Sequence, residues 1–195
     1  MHFCYTTKMI KAIIFDCFGV LLVDSRQSLI DEFPEKKREL LDFRAQADRG
    51  HMSRKELLEA FSEVTGLTTE AVDQQLCSEH TLNRPLVRYI KELRTQGYKV
   101  AMLSNLGRGW FHELVPYDEA IALFDDIVIS GEVGMVKPQP EIYQLACDNL
   151  SVESQDVVFV DDIERNCAGA EAVGMKSIFY KDFEQFQLQA ERLLK

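Results

Sequence analysis

No run of apolar residues in this 195-residue chain approaches the roughly 18–20 that span a bilayer, and the N-terminus lacks the long apolar core of a signal peptide. Positive charge is also scarce: 22 Lys and Arg stand against 32 Asp and Glu, a formal net charge of −10. Such a surface repels phosphate backbones and anionic headgroups, so nucleic acid and membranes are not expected partners. A small phosphorylated ligand is still compatible, because a bound cation and a few local donors reverse the sign inside one pocket. The five cysteines (Cys4, Cys17, Cys77, Cys147 and Cys167) form no CxxC pair and no metal-like spacing. They read as reduced thiols of a cytoplasmic protein. No repeat or low-complexity segment is visible, and Met1–Lys8 reads as a short disordered extension.

What is present is ordinary globular composition, 46% hydrophobic and 28% charged, enough for one full core and a modest second lobe. The chain is organised around KAIIFDCFGVLL, Lys11 to Leu22. Ala12–Phe15 has the β-branched and aromatic character of a strand buried on both faces, ending at Asp16, with Gly19 allowing a sharp turn. Further strands are expected at Lys99–Leu103, Asp126–Ile129, Val157–Val160 and Ser177–Tyr180, each separated by a helical pattern. That alternation predicts an α/β fold, a doubly wound parallel five-stranded sheet in the order 3-2-1-4-5. One helix, Gly109 to Ala122, is expected to be interrupted at Pro116.

Between Asp24 and Asn83 there is no strand candidate. Ser28–Arg49 carries Leu and Phe at loosely helical spacing, Ser53-Arg54-Lys55-Glu56 reads as a capping box, and Gly66 ends the helix it opens. Residues 1–22 and 84–195 are therefore expected to form the core, with 23–83 a helical insert of lid size.

Four predicted strands end in polar residues: Asp16; Ser104-Asn105; Lys137, within SGEVGMVKPQP; and Asp161-Asp162, with Asn166 shortly after. In open α/β sheets ligands bind at the carboxyl ends of the strands. Carboxylates converging there repel unless a cation sits among them, and oxygen-only ligands suit Mg²⁺. A hydroxyl and a lysine beside it can hold phosphoryl oxygens as charge spreads over them.

The motifs IIFDCFGVL, MLSN, GMVKPQPEIY and VFVDDIERN, in this order, resemble the haloacid dehalogenase-like (HAD) hydrolase superfamily over nearly the whole chain. RGHMSRKELLEAF and the later series are most similar to its sugar-phosphate phosphatases and to the phosphatase-type domain of bifunctional epoxide hydrolases. The resemblance implies a Rossmannoid core and an α-helical cap inserted after the first strand. It implies Asp16 as a nucleophile forming an aspartyl-phosphate, with Ser104, Asn105 and Lys137 holding the transferring group of a small phosphorylated metabolite. It also implies Mg²⁺ bound by Asp16, the backbone carbonyl of Phe18, Asp161 and Asp162.

Position 18 departs from that pattern. Family phosphatases carry an aspartate there as general acid and base, a role typically worth about 10²–10⁴-fold; Phe18 cannot move a proton. Cys17, Glu132 or a cap residue are the candidate substitutes. Two alternatives stay open: a catalytically impaired protein that binds a phosphorylated ligand or a partner, and a 2-haloacid dehalogenase. The second would need Arg44 or Arg49 to grip a carboxylate, and Asp161-Asp162 argues against it. His51, His80 and His112 are expected on the surface, and Trp110 is expected to pack between core and insert.

Overall fold

The computed structural model describes residues 9–24, 28–78, 80–115 and 122–194; the expectations for Met1–Lys8 and for a helix break at Pro116 lie outside them. The strands are β1 (Ala12–Phe15), β2 (Leu22–Asp24), β3 (His80–Leu82), β4 (Lys99–Ser104), β5 (Asp126–Ile129), β6 (Val157–Asp161) and β7 (Lys176–Phe179). The helices are α1 (Leu29–Glu32), α2 (Lys37–Asp48), α3 (Arg54–Thr65), α4 (Thr69–Ser78), α5 (Arg84–Thr95), α6 (Phe111–Leu114), α7 (Ser130–Val133), α8 (Pro140–Leu150), α9 (Glu164–Ala172) and α10 (Phe183–Leu193).

Five strands form one parallel sheet in the order β5-β4-β1-β6-β7, which is the expected 3-2-1-4-5. β1 is central, with Phe15 opposite Met102 on one side and Val160 on the other. Because side chains alternate along a strand, Ile13 and Phe15 join the core beneath α5 and α10, while Ala12 and Ile14 face α8 and Ala170 of α9. Burial on both faces is what left these strands as continuous apolar runs in the sequence. β4 and β6 each run one residue further than expected, to Ser104 and Asp161, so two polar residues end their strands while still in the ladder.

One expectation for the insert needs correction. A strand does lie between Asp24 and Asn83: β3 pairs antiparallel with β2, Leu22 opposite Leu82 and Asp24 opposite His80. This two-stranded ribbon carries the chain into the helical insert and back, and Asn83 fastens its return by donating from Nδ2 to Val20 O and Tyr180 Oη. Three residues are too few to show a period. The stretch Ser28–Arg49 is helical as its spacing suggests, divided into α1 and α2. Pro34 begins a single 3₁₀ turn, Pro34–Lys36, because proline lacks an N–H and keeps Phe33 out of the helical region. The capping box on α3 forms as read, with Ser53 and Glu56 bonding reciprocally and Gly66 closing the helix at φ +76°. Among the described residues, no helix is long and apolar enough to cross a membrane, and Cys17, Cys77, Cys147 and Cys167 are free thiols.

Candidate active site

β1 delivers Asp16 to the carboxyl rim of the sheet. Its N–H still donates to Val160 O at 2.8 Å, so the backbone stays paired for one residue past the strand. The chain then folds back tightly, with Leu21 and Leu22 both donating to Cys17 O at 2.8 Å. Gly19 makes that reversal possible at φ +76°; a Cβ there would also lie 2.2 Å from Asp162 Oδ2. The glycine thus seats the half-buried Asp162 carboxylate directly over the turn.

Lys137 joins the ends of β1 and β6. Its ammonium lies 2.8 Å from Asp16 Oδ1 and 2.7 Å from Asp161 Oδ2, with all three side chains buried. Asn105 grips the lysine's backbone on both edges: Nδ2 donates to Lys137 O at 3.0 Å, and Oδ1 accepts from Lys137 N at 2.8 Å. Asp161 Oδ1 accepts from Ile163 N at 2.8 Å and from Asn166 Nδ2 at 3.0 Å. Burial pushes Asp16 up to about 7, against the pull of Lys137 and with the added repulsion of Asp161. For Lys137 burial works to lower the pKa, but the charges of Asp16 and Asp161 and their hydrogen bonds outweigh it and hold the ammonium above its ordinary value.

One oxygen from each of Asp16, Asp161 and Asp162 lies within 4.8 Å of the others. Asp16 and Asp161 share the Lys137 ammonium, and three carboxylates gathered in so small a space favour a cation among them. Ser104 Oγ and Asn166 Oδ1 are buried there too and lack a hydrogen-bond partner. An all-oxygen donor set with spare acceptors fits Mg²⁺.

The cluster forms the floor of a cavity of about 380 Å³. Of the expected site residues, Asp16, Phe18, Ser104, Asn105, Lys137 and Asp162 line it, while Asp161 lies just behind, holding Lys137. Phe18 packs its ring on the His80 imidazole, centroids 4.7 Å apart. His80 is therefore a lining residue rather than a surface one; the ribbon pairing put it there, and no sequence signal announced it. His51 is exposed as expected, and the His112 side chain lies outside the described residues. Trp110 both packs against the insert and lines the cavity.

The candidate proton carriers fare poorly. Cys17 is wholly buried in the core, and burial together with the Asp16 charge pushes its thiol well up. Glu132 is exposed and does not line the cavity. Asp48 and Arg44 of α2 do line it, whereas the exposed Arg49 donates to Ala45 O.

Comparison with known proteins matches this arrangement to a family. Residues 10–174 fit the profile of a hydrolase family, haloacid dehalogenase-like hydrolase. The chain is 30% identical over 180 residues to the sesquiterpene phosphatase astK of Aspergillus oryzae, covering 88% of this chain and 90% of that one. It is 30% identical over 115 residues to bifunctional epoxide hydrolase 2 of Rattus norvegicus, 55% of this chain but only 20% of that much longer protein. A HAD family enzyme of Bacteroides thetaiotaomicron, crystallised with magnesium and inorganic phosphate, superposes with a TM-score of 0.78 at 23% identity, covering 91% of this chain and 98% of its own. With a buried acid–lysine cluster at the rim of a 3-2-1-4-5 sheet and the family profile spanning most of its length, the chain belongs to the haloacid dehalogenase-like hydrolases.

Proposed function

We propose that this hydrolase is a Mg²⁺-dependent phosphatase acting on a small phosphorylated metabolite through an aspartyl-phosphate at Asp16. The observation that carries the reading is the arrangement of Asp16 beside Lys137 and an unpartnered, buried Ser104 hydroxyl at the floor of the cavity. Likeness to a phosphatase over nearly its whole length supports it, as does a shared fold crystallised with magnesium and phosphate.

In this reading Ser104 and Lys137 hold the phosphoryl oxygens while an Asp16 oxygen attacks phosphorus. The ester oxygen departs with the bonding electron pair, and water then cleaves the aspartyl-phosphate to restore the carboxylate. Asp16, Asp161, Asp162 and the carbonyl of Phe18 would hold the ion, which neutralises the phosphoryl charge when bound. Asn105 positions Lys137 through the lysine's backbone, and because it also lines the cavity its second amide N–H can serve a phosphoryl oxygen. Residues 23–83 serve as the cap that closes the cleft against water. Without an acid at position 18, esters of good leaving groups turn over faster than alkyl esters.

A 2-haloacid dehalogenase is the second reading, favoured by the aromatic at position 18 and by Arg44 on the cavity wall; the three clustered acids weigh against it. Assays separate the readings. The phosphatase releases phosphate from p-nitrophenyl or acetyl phosphate, and chelator or Asp16→Asn abolishes it. Chelator-independent halide release from 2-chloropropionate would establish dehalogenation instead. Stabilisation by a phosphorylated metabolite without turnover would mark a binding protein.

A further inference from the structure

Resting on the phosphatase reading, we propose that the alcohol half of the substrate is apolar: the chain acts on phosphate monoesters of aliphatic alcohols rather than of sugars. The cavity is strongly two-sided. Its floor is the charged cluster, whereas the walls above are Leu57 and Phe61 of α3, Leu76 of α4, and Trp110. These four side chains are only 5%, 1%, 6% and 6% exposed, so the wall they form is shielded from bulk water. Of their groups only the indole N–H can hydrogen-bond. A sugar hydroxyl placed against this wall leaves water without gaining a partner, which weakens binding by about tenfold or more for each one. A methylene placed there strengthens it.

The polar residues that the insert contributes to the lining, Ser28, Arg44, Asp48 and His80, are less deeply buried. They suit the mouth of the cavity, where water persists, better than the enclosed wall. Arg44 and Asp48 stand one turn apart on α2 and offset each other's charge. The apolar wall is also held in place. The Arg54 guanidinium lies over the Trp110 ring, 5.0 Å from its centroid, and is itself paired with Asp73 of α4. On the core side the indole abuts Gly107, where even an added Cβ would come within 3.2 Å of Trp110 Cδ1. A pre-formed apolar enclosure with polar groups at one end is the usual construction of a small-molecule site.

Calorimetric titration of the full chain with methyl-, butyl- and octylphosphonate in saturating Mg²⁺ tests this without requiring turnover. Affinity should rise by about fourfold per added methylene until the cavity fills. Glucose 6-phosphate should bind more weakly than butylphosphonate, and Leu57→Gln or Leu76→Gln should flatten the series. A flat series in the wild-type chain, no phosphonate binding, or preference for glucose 6-phosphate overturns the proposal; the wild-type series decides even where a variant fails to fold. Failure of the parent reading looks different: octylphosphonate then binds with the expected gradient, yet no phosphate is released from any ester.

Discussion

Two carboxylates attract the Lys137 ammonium, and Asn105 fixes the backbone from which the side chain reaches them. Asn105→Ala removes both anchors and leaves the lysine's N–H and C=O without these partners. Small misplacements of a catalytic group cost up to about 10²-fold, so kcat for p-nitrophenyl phosphate should fall by tenfold or more; an unchanged kcat would show that the clasp is only structural. Phe18 makes the converse case. Phe18→Asp introduces a proton carrier two residues after Asp16, the proposed nucleophile, and activity on alkyl phosphates should rise toward the ~10²–10⁴-fold that general acid catalysis supplies. Acetyl phosphate, whose leaving group needs little protonation, should gain far less. Equal gains on both substrates would mean that the ring obstructs the pocket rather than that a proton is missing.

At the scale of the elements, α2 ends in an acid where helices favour cations, and Asp48 is also partly buried against the core. Burial pushes its carboxyl up to about 6, with Arg44, Arg49 and Lys137 pulling the other way. An unfolded aspartate titrates near ~3.9, so between those values the folded chain keeps a proton that the unfolded chain has released. The wild-type chain therefore loses stability as pH rises through that window, and the loss persists above it. Asp48→Asn should raise the urea midpoint more at pH 8 than at pH 5, and an equal gain at both would refute the assignment. One hydroxyl ties this end of α2 to the core: Ser130 Oγ donates to the Asp48 backbone carbonyl at 2.6 Å and accepts from Leu106 N at 2.9 Å. Nothing in the sequence marked Ser130 as a tie to α2, since a serine just past a strand is ordinary turn chemistry. The five core strands were legible for the opposite reason, their burial on both faces producing unbroken apolar runs. The β2–β3 ribbon was hidden by its length, and His80 with it, because a strand pairing across the insert decides where that ring points. Asp16, Lys137 and Asp161 could be read from their places at or after strand ends, whereas the role of Asn105 depends on a backbone contact with a residue far along the chain.

The whole molecule carries a net charge of −10, and part of that surplus is concentrated where water cannot screen it. Asp16 and Asp161 are buried with Lys137 while Asp162 stands half-exposed beside them, so a divalent ion entering the cluster relieves repulsion that the fold otherwise has to bear. Binding to the folded state alone stabilises by about 2.7 kcal/mol at a hundredfold excess over Kd. For a chain of this size that corresponds to a rise in Tm of about 5–10 °C. An acidic surface also gathers Mg²⁺ diffusely, and that contribution fades as salt screens it. The two are separable, since Asp161→Asn removes one of the three clustered carboxylates but hardly alters the surface. The wild-type chain should therefore keep its Mg²⁺-induced shift in 0.3 M NaCl, whereas Asp161→Asn should lose most of it. A shift that disappears with salt in the wild type, or survives intact in the variant, would place the ion outside the cluster and remove the basis for metal-assisted chemistry at Asp16.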